Sequence, residues 1–582
     1  MMSTHHNNEL TMQDLGKRVV LKGFVQKRRD LGNLVFVDLR DQKGITQLAF
    51  DADNDLKSIA QALKNEYVIE IEGVVRERSS KNPNMKTGDI EIDTDKVRVL
   101  NTAKQPPMLI QDDTDALEDT RLKYRYLDLR RPKLQHMMAL RHDVMQATRA
   151  FLNEAQFLEI ETPILTASTP EGARDYVVPS RIHKGKHFAL PQSPQLFKQL
   201  LMVGGFERYY QIAKCFRDED LRSDRQPEFT QIDIEMSFVD QEAVIDLSER
   251  MIKHVMKTVL GKTFEDPFPR MTYKEAMRDF GSDKPDTRFG LKLKDLAAVF
   301  ADTDFKVFQT ILASNGSIQG IAIPNGNAEF SRKDIDKLTD EAKKYGAKGL
   351  SFLKLEADKV SGPIAKFMSD ETIEQLKAVM GANDGDLVLI VADTLSVTQA
   401  ALGHLRKVVA KKLDLIDSDQ FDFTWIIDWP MFEYDEKTKR YYALHHPFTR
   451  VQDKHKSRFI DEPDKALAYC YDLVVQGYEL GGGSMRIHEA LMQDSVFNVL
   501  GLSPAEQKSR FGFFTEALQY GTPPHGGIAF GLDRLIMLLG KTDNIRDVIA
   551  FPKTSSAQCL MTNAPSVVSA EQLAVFKDNE EK

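Results

Sequence analysis

Apolar and polar positions alternate through much of the first hundred residues. The runs VVLKGFV, LVFVDLRD, ITQLAF, YVIEIEGVV and DIEID are rich in β-branched and aromatic residues and are separated by turn-forming stretches such as DLGN and KNPN. That pattern predicts short strands. Five strands in about 80 residues is the size of an OB-type barrel, a fold that commonly binds single-stranded nucleic acid. In LVFVDL the alternation puts Val35, Val37 and Leu39 on one side and Phe36 on the other. An aromatic on the outer face is a base-stacking candidate, and a second buried face accounts for it equally well. Lys27, Arg28 and Arg29 lie in the first connection.

From about Met138 the period lengthens to that of a helix through LRHDVMQATRAFLNEAQF. It then gives way to LEIETPIL, where Pro163 forbids further helix and the β-branched residues predict a strand. Two strand-like runs, ERYYQIAKCFR and EFTQIDIEMSF, flank a charged connection and predict a long antiparallel hairpin. In its second strand, alternation places Ile232, Ile234, Met236 and Phe238 on a core face, and Phe229, Gln231, Asp233 and Glu235 on a polar face. Between 286 and 420 the character changes, with a helix in KDIDKLTDEAKKYGAKG and strands in LSFLKLEA and DLVLIVAD. The expected organisation is a barrel over residues 1–105, a hinge over 106–140, a domain in two parts over 141–285 and 421–582, and an insert over 286–420.

At 582 residues the chain is too long for one hydrophobic core. Its 42% hydrophobic and 28% charged content is that of a globular protein, and no run of about 18 apolar residues offers a membrane span. The N-terminal stretch has no apolar signal region, and Cys215, Cys470 and Cys559 are far apart. The expectation is a cytoplasmic protein with neither a disulfide framework nor a cysteine-based zinc site. A net charge of −9 argues against indiscriminate coating of nucleic acid and leaves RNA binding to local basic patches. One such patch is RLKYRYLDLRRPK, residues 121–133. Contact with a phosphate backbone and a merely solvated helix both account for it.

Chemistry concentrates in a few stretches. FRDEDLRSDRQPEFTQID, residues 216–233, packs six acids and three arginines into eighteen residues. Alone it reads as a solvated loop at least as well as a site. The polar strand face that follows, with Arg217 at the end of the incoming strand, suits the floor of a charged-ligand site. In YDLVVQGYELGGGSMRIH, Asp472 and Glu479 offer hard oxygens for Mg²⁺, Gly481 to Gly483 remove side chains, and Arg486 offers a fork for carboxylate or phosphate. A flexible hairpin is the rival reading. GIAFGLDRLIMLLG predicts a strand, a glycine and a helix with Arg534 in its first turn, which favours an anion. The GKT that follows is no P-loop, because Leu535 stands where the first glycine belongs. In HHPFT, neighbouring side chains on an extended strand point apart. One histidine of His445 and His446 is therefore expected to touch a ligand, and a shared metal is not. TPEGARDY and PQSPQLFKQ carry Glu171, Ser193, Gln195 and Lys198, the last two on one helical face.

The order FLEIETPIL, FRDED with RQPEFTQ, then GLDR resembles the three signature motifs of class II aminoacyl-tRNA synthetases. The motifs RRDLG, LRDQKGITQ, RLKYRYLDLRRP, TPEGARDY, PQSPQLFKQLLM, GSDKPD, ALHHPFT, YELGGGSMRIH and IRDVIAFPK narrow the resemblance to bacterial-type aspartyl-tRNA synthetases over nearly the whole chain. The resemblance implies an α+β multidomain fold: an N-terminal OB-fold barrel, a class II catalytic domain on an antiparallel sheet flanked by helices, and an inserted α+β GAD domain. It implies activation of L-aspartate with ATP and Mg²⁺, then transfer to tRNA(Asp). To ATP it assigns Arg217, Asp218, Glu219, Gln226, Phe229, Glu479, Gly531, Leu532, Asp533 and Arg534, with Arg217, Glu219 and Arg534 catalytic. To the metal it assigns Asp472 and Glu479. To aspartate it assigns Glu171, Ser193, Gln195, Lys198, Arg217, Asp233, His445 and Arg486. To the anticodon it assigns Arg28, Arg29, Leu31, Phe36, Gln47, Arg76, Arg78 and Glu91. It also implies a homodimer through the motif from Phe157 to Leu165.

A non-catalytic paralogue is disfavoured, because Arg217, Glu219, Glu479 and Arg534 are all present. An asparaginyl-tRNA synthetase or an asparagine synthetase of this fold is disfavoured by Lys198 and by the presence of both barrel and insert. Leu31 resembles the form that charges tRNA(Asp) alone, while charging of tRNA(Asn) as well stays open. No role for the insert or for GSDKPD follows from the sequence.

Overall fold

The computed structural model describes residues 2–32, 34–51, 56–168, 172–357 and 359–572. They form two compact units, one of residues 1–145, 220–227 and 536–582, the other of 146–219 and 228–535.

In the first unit the predicted strands close into a barrel: β1 (Arg18–Asp30), β2 (Leu34–Arg40), β3 (Ile45–Asp51), β4 (Val68–Glu77) and β5 (Ile90–Asn101), ordered β1-β2-β3-β5-β4 with β4 returning to β1. The alternation reads out as packing. Val35, Val37 and Leu39 are sealed in the core beside Leu48, Phe50, Ile69 and Ile71, while Phe36 is half-buried on the outer side.

The basic run after the barrel is an interior network. Asp128 is fully buried and accepts from Arg121 Nε (3.2 Å), Arg125 Nη1 (2.7 Å) and Arg131 Nη1 (2.8 Å). Arg125 spends its other donors on the carbonyls of Arg546, Ile549 and Ala550. Arg130 pairs with Glu66 at 2.8 Å and covers the Phe24 ring at 4.1 Å. Arg125 and Arg131 are buried and Arg121 and Arg130 partly covered, each paired with a carboxylate, so a simply solvated helix does not describe these arginines. Helix α1 begins inside the same run, Pro132–Glu154, and passes without a break through the expected boundary at residue 140.

The second unit is built on an eight-stranded sheet. Its strands are β6 (Leu158–Glu159), β7 (Arg208–Phe216), β8 (Glu228–Ser237), β9 (Arg270–Thr272), β10 (Phe423–Ile427), β11 (Cys470–Val475), β12 (Tyr478–Met485) and β13 (His525–Gly531), in the order β9-β10-β11-β12-β13-β8-β7-β6. Its centre is antiparallel as expected. Both edges are not, since β6 pairs with β7 and β9 with β10 in parallel. The predicted hairpin is present as β7 against β8, with Gln211 opposite Asp233. Ile232, Ile234 and Met236 are buried as predicted, but Phe238 is exposed. The strand ends at Ser237, and Phe238 turns to φ 59° with its amide bonded to the Pro524 carbonyl. Helix α2 (Gln195–Val203) packs against β8, and α4 (Leu532–Leu539) follows β13 directly.

The insert has its own five-stranded sheet, with strand order Lys294–Asp295, Ser317–Ile323, Leu387–Asp393, Ser351–Glu356, Lys359–Ser361. Leu387, Leu389 and Val391 enter one hydrophobic cluster and Val388 and Ile390 another, so both faces of the sheet are covered. Helix α3 (Leu395–Lys412) closes the insert. Among the described residues no helix is long and apolar enough to cross a membrane.

Candidate active site

The polar face of β8 is the floor of a cavity of about 400 Å³ in the second unit. Lys198 and Gln195 reach it from α2, as their helical spacing required, Asp233 and Gln231 from β8, Asp472 from β11, and Glu479 and Arg486 on and just after β12. Two charge clusters divide it.

In the first cluster, Lys198 Nζ lies 2.5 Å from Asp233 Oδ1 and 3.3 Å from Glu235 Oε2. Arg486 donates from Nε and Nη2 to Glu235 at 3.0 and 3.2 Å, and from Nη1 to His446 Nε2 and Ser484 Oγ, both at 2.6 Å. All four charged side chains are buried. Burial raises the Asp233 carboxyl above its ordinary range, outweighing the pull of Lys198. Burial works on Glu235 too, but Arg486 and Lys198 overcome it and hold its pKa low. Gly527 is required beneath this pair, because a Cβ there would collide with the Glu235 carboxylate. His446 is kept neutral by burial and by the neighbouring Arg486, which lower its pKa well below 6.5. Neutral imidazole is the form that accepts from Arg486 at Nε2, while Nδ1 lies 3.2 Å from the Phe448 amide and 3.3 Å from Thr449 Oγ1.

The second cluster holds Asp472 and Glu479. Burial and the Glu479 charge push the Asp472 carboxyl well up, whereas Lys284 and Arg534 overcome the burial of Glu479 and keep its carboxyl low. Lys284 Nζ is 3.2 Å from Glu479 Oε2, and Arg534 Nη1 donates to the Glu479 carbonyl. Asp472 Oδ1 is buried without a hydrogen-bond partner, and a Cβ on Gly482 would stand 2.7 Å from it. This pair of hard oxygens in a side-chain-free cradle fits a divalent cation. Among the described residues no third His, Cys, Asp or Glu completes a protein-only cage. Nearby, the Arg217 guanidinium lies over the Phe229 ring at 5.1 Å.

Five buried polar atoms on residues lining the cavity lack a hydrogen-bond partner among the described residues: Gln195 Nε2, Arg217 Nε, Asp233 Oδ2, His445 Nε2 and Asp472 Oδ1. Native interiors leave few such groups, so five converging on one cavity mark a ligand site. Burial lowers the His445 pKa to about 4, so its ring is neutral at pH 7, packed edge-on against Trp429 at 4.7 Å.

Other expected residues lie elsewhere. Leu532 is in the core, and the Asp533 carboxylate accepts from the Thr230 amide at 2.7 Å, tying β8 to α4. The Gln226 side chain is bonded at both ends to the Lys553 backbone, at 2.8 and 3.1 Å, within the first unit. The Asp218 amide bonds to the Arg174 carbonyl. Ser193 lines the cavity, Glu219 and Gly531 are partly exposed beside their strands, and Glu171 lies outside the described residues. Both histidines of HHPFT line the cavity, because the chain bends after the strand Arg440–Ala443 instead of running extended. Sequence reasoning also missed Glu235, which sat in plain view on the polar face of β8, and Lys284, inside the unexplained GSDKPD.

On the barrel, a chain of hydrogen bonds crosses the strands. Arg29 donates to Asp38 and Gln47, Gln47 to Glu91, and Arg76 to Glu91 and Asp51. Phe36 pairs in register with Arg29. The structure therefore gathers Arg29, Phe36, Gln47, Arg76 and Glu91. Arg28 turns to the Leu63 carbonyl, Arg78 is buried beside Met85, and Leu31 is exposed in a turn.

The profile of the tRNA synthetases class II (D, K and N) matches residues 117–555, and that of the OB-fold nucleic acid binding domain matches residues 19–100. The chain is 55% identical to the aspartate–tRNA(Asp/Asn) ligase of Anoxybacillus flavithermus, over 98% of this chain and 97% of the relative. To the enzyme of the same name from Natranaerobius thermophilus it is 54% identical, over 98% of each. Among solved structures, the asparaginyl-tRNA synthetase of Pyrococcus horikoshii with asparaginyl-adenylate has a TM-score of 0.60 at 19% identity, covering 95% of this chain and 99% of that one. The aspartyl-tRNA synthetase of Entamoeba histolytica has a TM-score of 0.57 at 21% identity, covering 94% and 90%. The sequence matches and the shared fold lead to one conclusion: the chain belongs to the class II tRNA synthetases of the aspartate, lysine and asparagine group, with an OB-fold at its N-terminus.

Proposed function

We infer that this protein is an aspartate–tRNA ligase: it activates L-aspartate with ATP to aspartyl-adenylate and pyrophosphate, then transfers the aspartyl group to the 3′-terminal adenosine of tRNA(Asp). The observation that carries the reading is the pairing of buried Lys198 and Arg486 with Asp233 and Glu235 in one cavity. Zwitterionic aspartate is the partner that such a quartet accommodates. Its ammonium takes Asp233 from Lys198, and its side-chain carboxylate takes the freed Lys198 together with Arg486. Asparagine brings no charge to that second exchange and leaves a buried cation short of an anion, which is how the site rejects it. His445, neutral and with a free ring nitrogen, adds a hydrogen bond.

Arg217 stabilises the charge that develops as the α-carboxylate attacks the α-phosphate, and Phe229 stacks on adenine. Glu219 orients the adenosine and Arg534 meets the terminal phosphate. Asp472 and Glu479 would hold a divalent cation, of which Mg²⁺ fits the oxygen donors best, and it would supply charge neutralisation of the phosphates. No enzyme nucleophile enters; positioning and charge carry the rate. The barrel face around Phe36 reads the anticodon. The short edge strand β6, with exposed Leu158, Ile164 and Leu165 about it, joins a second copy in a homodimer, and three cysteines with no disulfide between them suit the cytoplasm.

Aspartate-dependent ATP–pyrophosphate exchange tests the reading; exchange with asparagine or lysine in place of aspartate would overturn it. A second reading, that tRNA(Asn) is charged as well, is favoured by the names of the relatives, which give both tRNAs. Charging of purified tRNA(Asn) with aspartate decides it, and an absence of product supports the reading of Leu31.

A further inference from the structure

The segment GSDKPD enters the cavity. The helix Tyr273–Phe280 ends at Gly281, whose φ of 62° and closeness to the Gln399 carbonyl leave no room for a side chain. The Lys284 amide bonds to Ser282 Oγ at 3.1 Å, and Asp286 is buried and gripped by Arg288 at 2.7 and 2.9 Å. The carbonyls that follow are held from the insert. Arg406 of α3, itself buried, donates to Leu291 and Gly290 at 2.8 Å and to Asp286 at 3.3 Å, with its guanidinium over the rings of Phe280 and Phe289. Lys284 is thus presented by a turn fixed on both sides, and its ammonium lies in the half of the cavity that holds Asp472 and Glu479.

We propose that Lys284 is a polyphosphate-binding residue of the ATP site, balancing Glu479 while the site is empty and turning to β- or γ-phosphate oxygens when ATP is bound, with Arg406 of the insert as its positioning residue. The inference rests on the ATP-dependent reading above. Its basis is charge and geometry. Lys198 and Arg486 are paired with Asp233 and Glu235 at the amino-acid end, and Arg217, over Phe229 with its Nε unpartnered among the described residues, is assigned above to the α-phosphate, which leaves Lys284 for the outer phosphates. Lys284 is held by a carboxylate that the metal-bound substrate would itself neutralise. A flexible ammonium on a fixed turn is the donor that can follow pyrophosphate as it leaves.

The test uses the full chain as Lys284→Met and Lys284→Arg. Equilibrium dialysis with inorganic pyrophosphate, and separately with ATP, is followed by exchange kinetics. K284M is expected to weaken both bindings about tenfold or more and to raise the ATP KM in proportion. The aspartate KM stays within about twofold, and K284R recovers most of the loss. Unchanged pyrophosphate binding, or an aspartate KM that rises with that of ATP, overturns the proposal. Should K284M not fold, Lys284→Gln, which keeps much of the stem, answers the same question. Wild-type exchange is the separate control. If it fails with aspartate while pyrophosphate still binds through Lys284, the assigned substrate is wrong and this residue's role stands.

Discussion

Arg486 and Glu235 face each other across the floor of the cavity through two hydrogen bonds of 3.0 and 3.2 Å, with 2% and 0% of their side chains exposed. Neither is replaceable alone. Glu235→Gln leaves Arg486 buried against a neutral amide, and removing one charge of a buried pair costs about 3–5 kcal/mol. We expect E235Q to lower the melting temperature and to raise the aspartate KM well above the ATP KM, as thermal unfolding and exchange kinetics will measure. An unchanged melting temperature would mean that the pair is not the electrostatic support of the site.

The carboxylates at the other end depend on a missing side chain. A Cβ on Gly482 would stand 2.7 Å from Asp472 Oδ1 and 3.4 Å from Glu479 Oε1, so Gly482→Ala displaces the pair while circular dichroism remains native. Loss of support around metal ligands typically costs about 10–100-fold in affinity or activity. The exchange rate of G482A is expected to fall by that factor, with the midpoint of its Mg²⁺ titration moved upward.

What was legible in the sequence followed from local periodicity. The barrel strands, the β7–β8 hairpin and the insert elements Arg332–Lys343, Ser351–Glu356 and Leu387–Asp393 all lie where the apolar pattern predicted them. Phe36 stood out by alternation alone. What failed depended on partners distant in the chain. The arginines of the hinge run looked solvated because the carbonyls that hold Arg125 are more than 420 residues away. The bonds from the Thr230 amide to Asp533 and from the Lys553 amide to Gln226 likewise join residues over three hundred positions apart, which no local pattern reveals. Two histidines in series were expected to point apart, and a bend in the chain brought both to the cavity. GSDKPD had no periodicity to interpret, and its meaning lies in Arg406 and Glu479, both over a hundred residues downstream.

Acid should cost the protein stability through a buried histidine. His525 is sealed at the start of β13, with Nδ1 2.8 Å from the Pro523 carbonyl, and burial lowers its pKa to about 4. Unfolded, the same ring titrates near about 6.5. Between those values the unfolded chain binds a proton that the native chain does not. Stability is therefore complete above about pH 6.5 and falls as the pH drops toward 4, by up to about 1.4 kcal/mol per unit from this one group. His525→Asn retains a donor toward Pro523 and removes the titration. The stability gap between wild type and H525N, from urea unfolding at pH 7, 6 and 5, should narrow as the pH falls. Parallel curves would contradict it.

The last prediction separates the two units. Phe36 lies on the outer side of a strand whose inner residues Val35, Val37 and Leu39 carry the core, so Phe36→Ala removes an aromatic face without opening a cavity among them. Beside it, the chain from Arg29 through Gln47 and Glu91 to Arg76 fixes polar groups across the barrel strands. One stacked base is worth about 1–3 kcal/mol, which for F36A is a rise of about tenfold or more in the tRNA KM of aminoacylation. Aspartate-dependent exchange needs no tRNA, and should be untouched. Gln47→Ala breaks the polar chain and leaves Phe36 in place, so a comparable rise there would assign part of the recognition to hydrogen bonds. A tRNA KM unchanged in F36A, with the barrel still folded, would remove Phe36 from the anticodon surface.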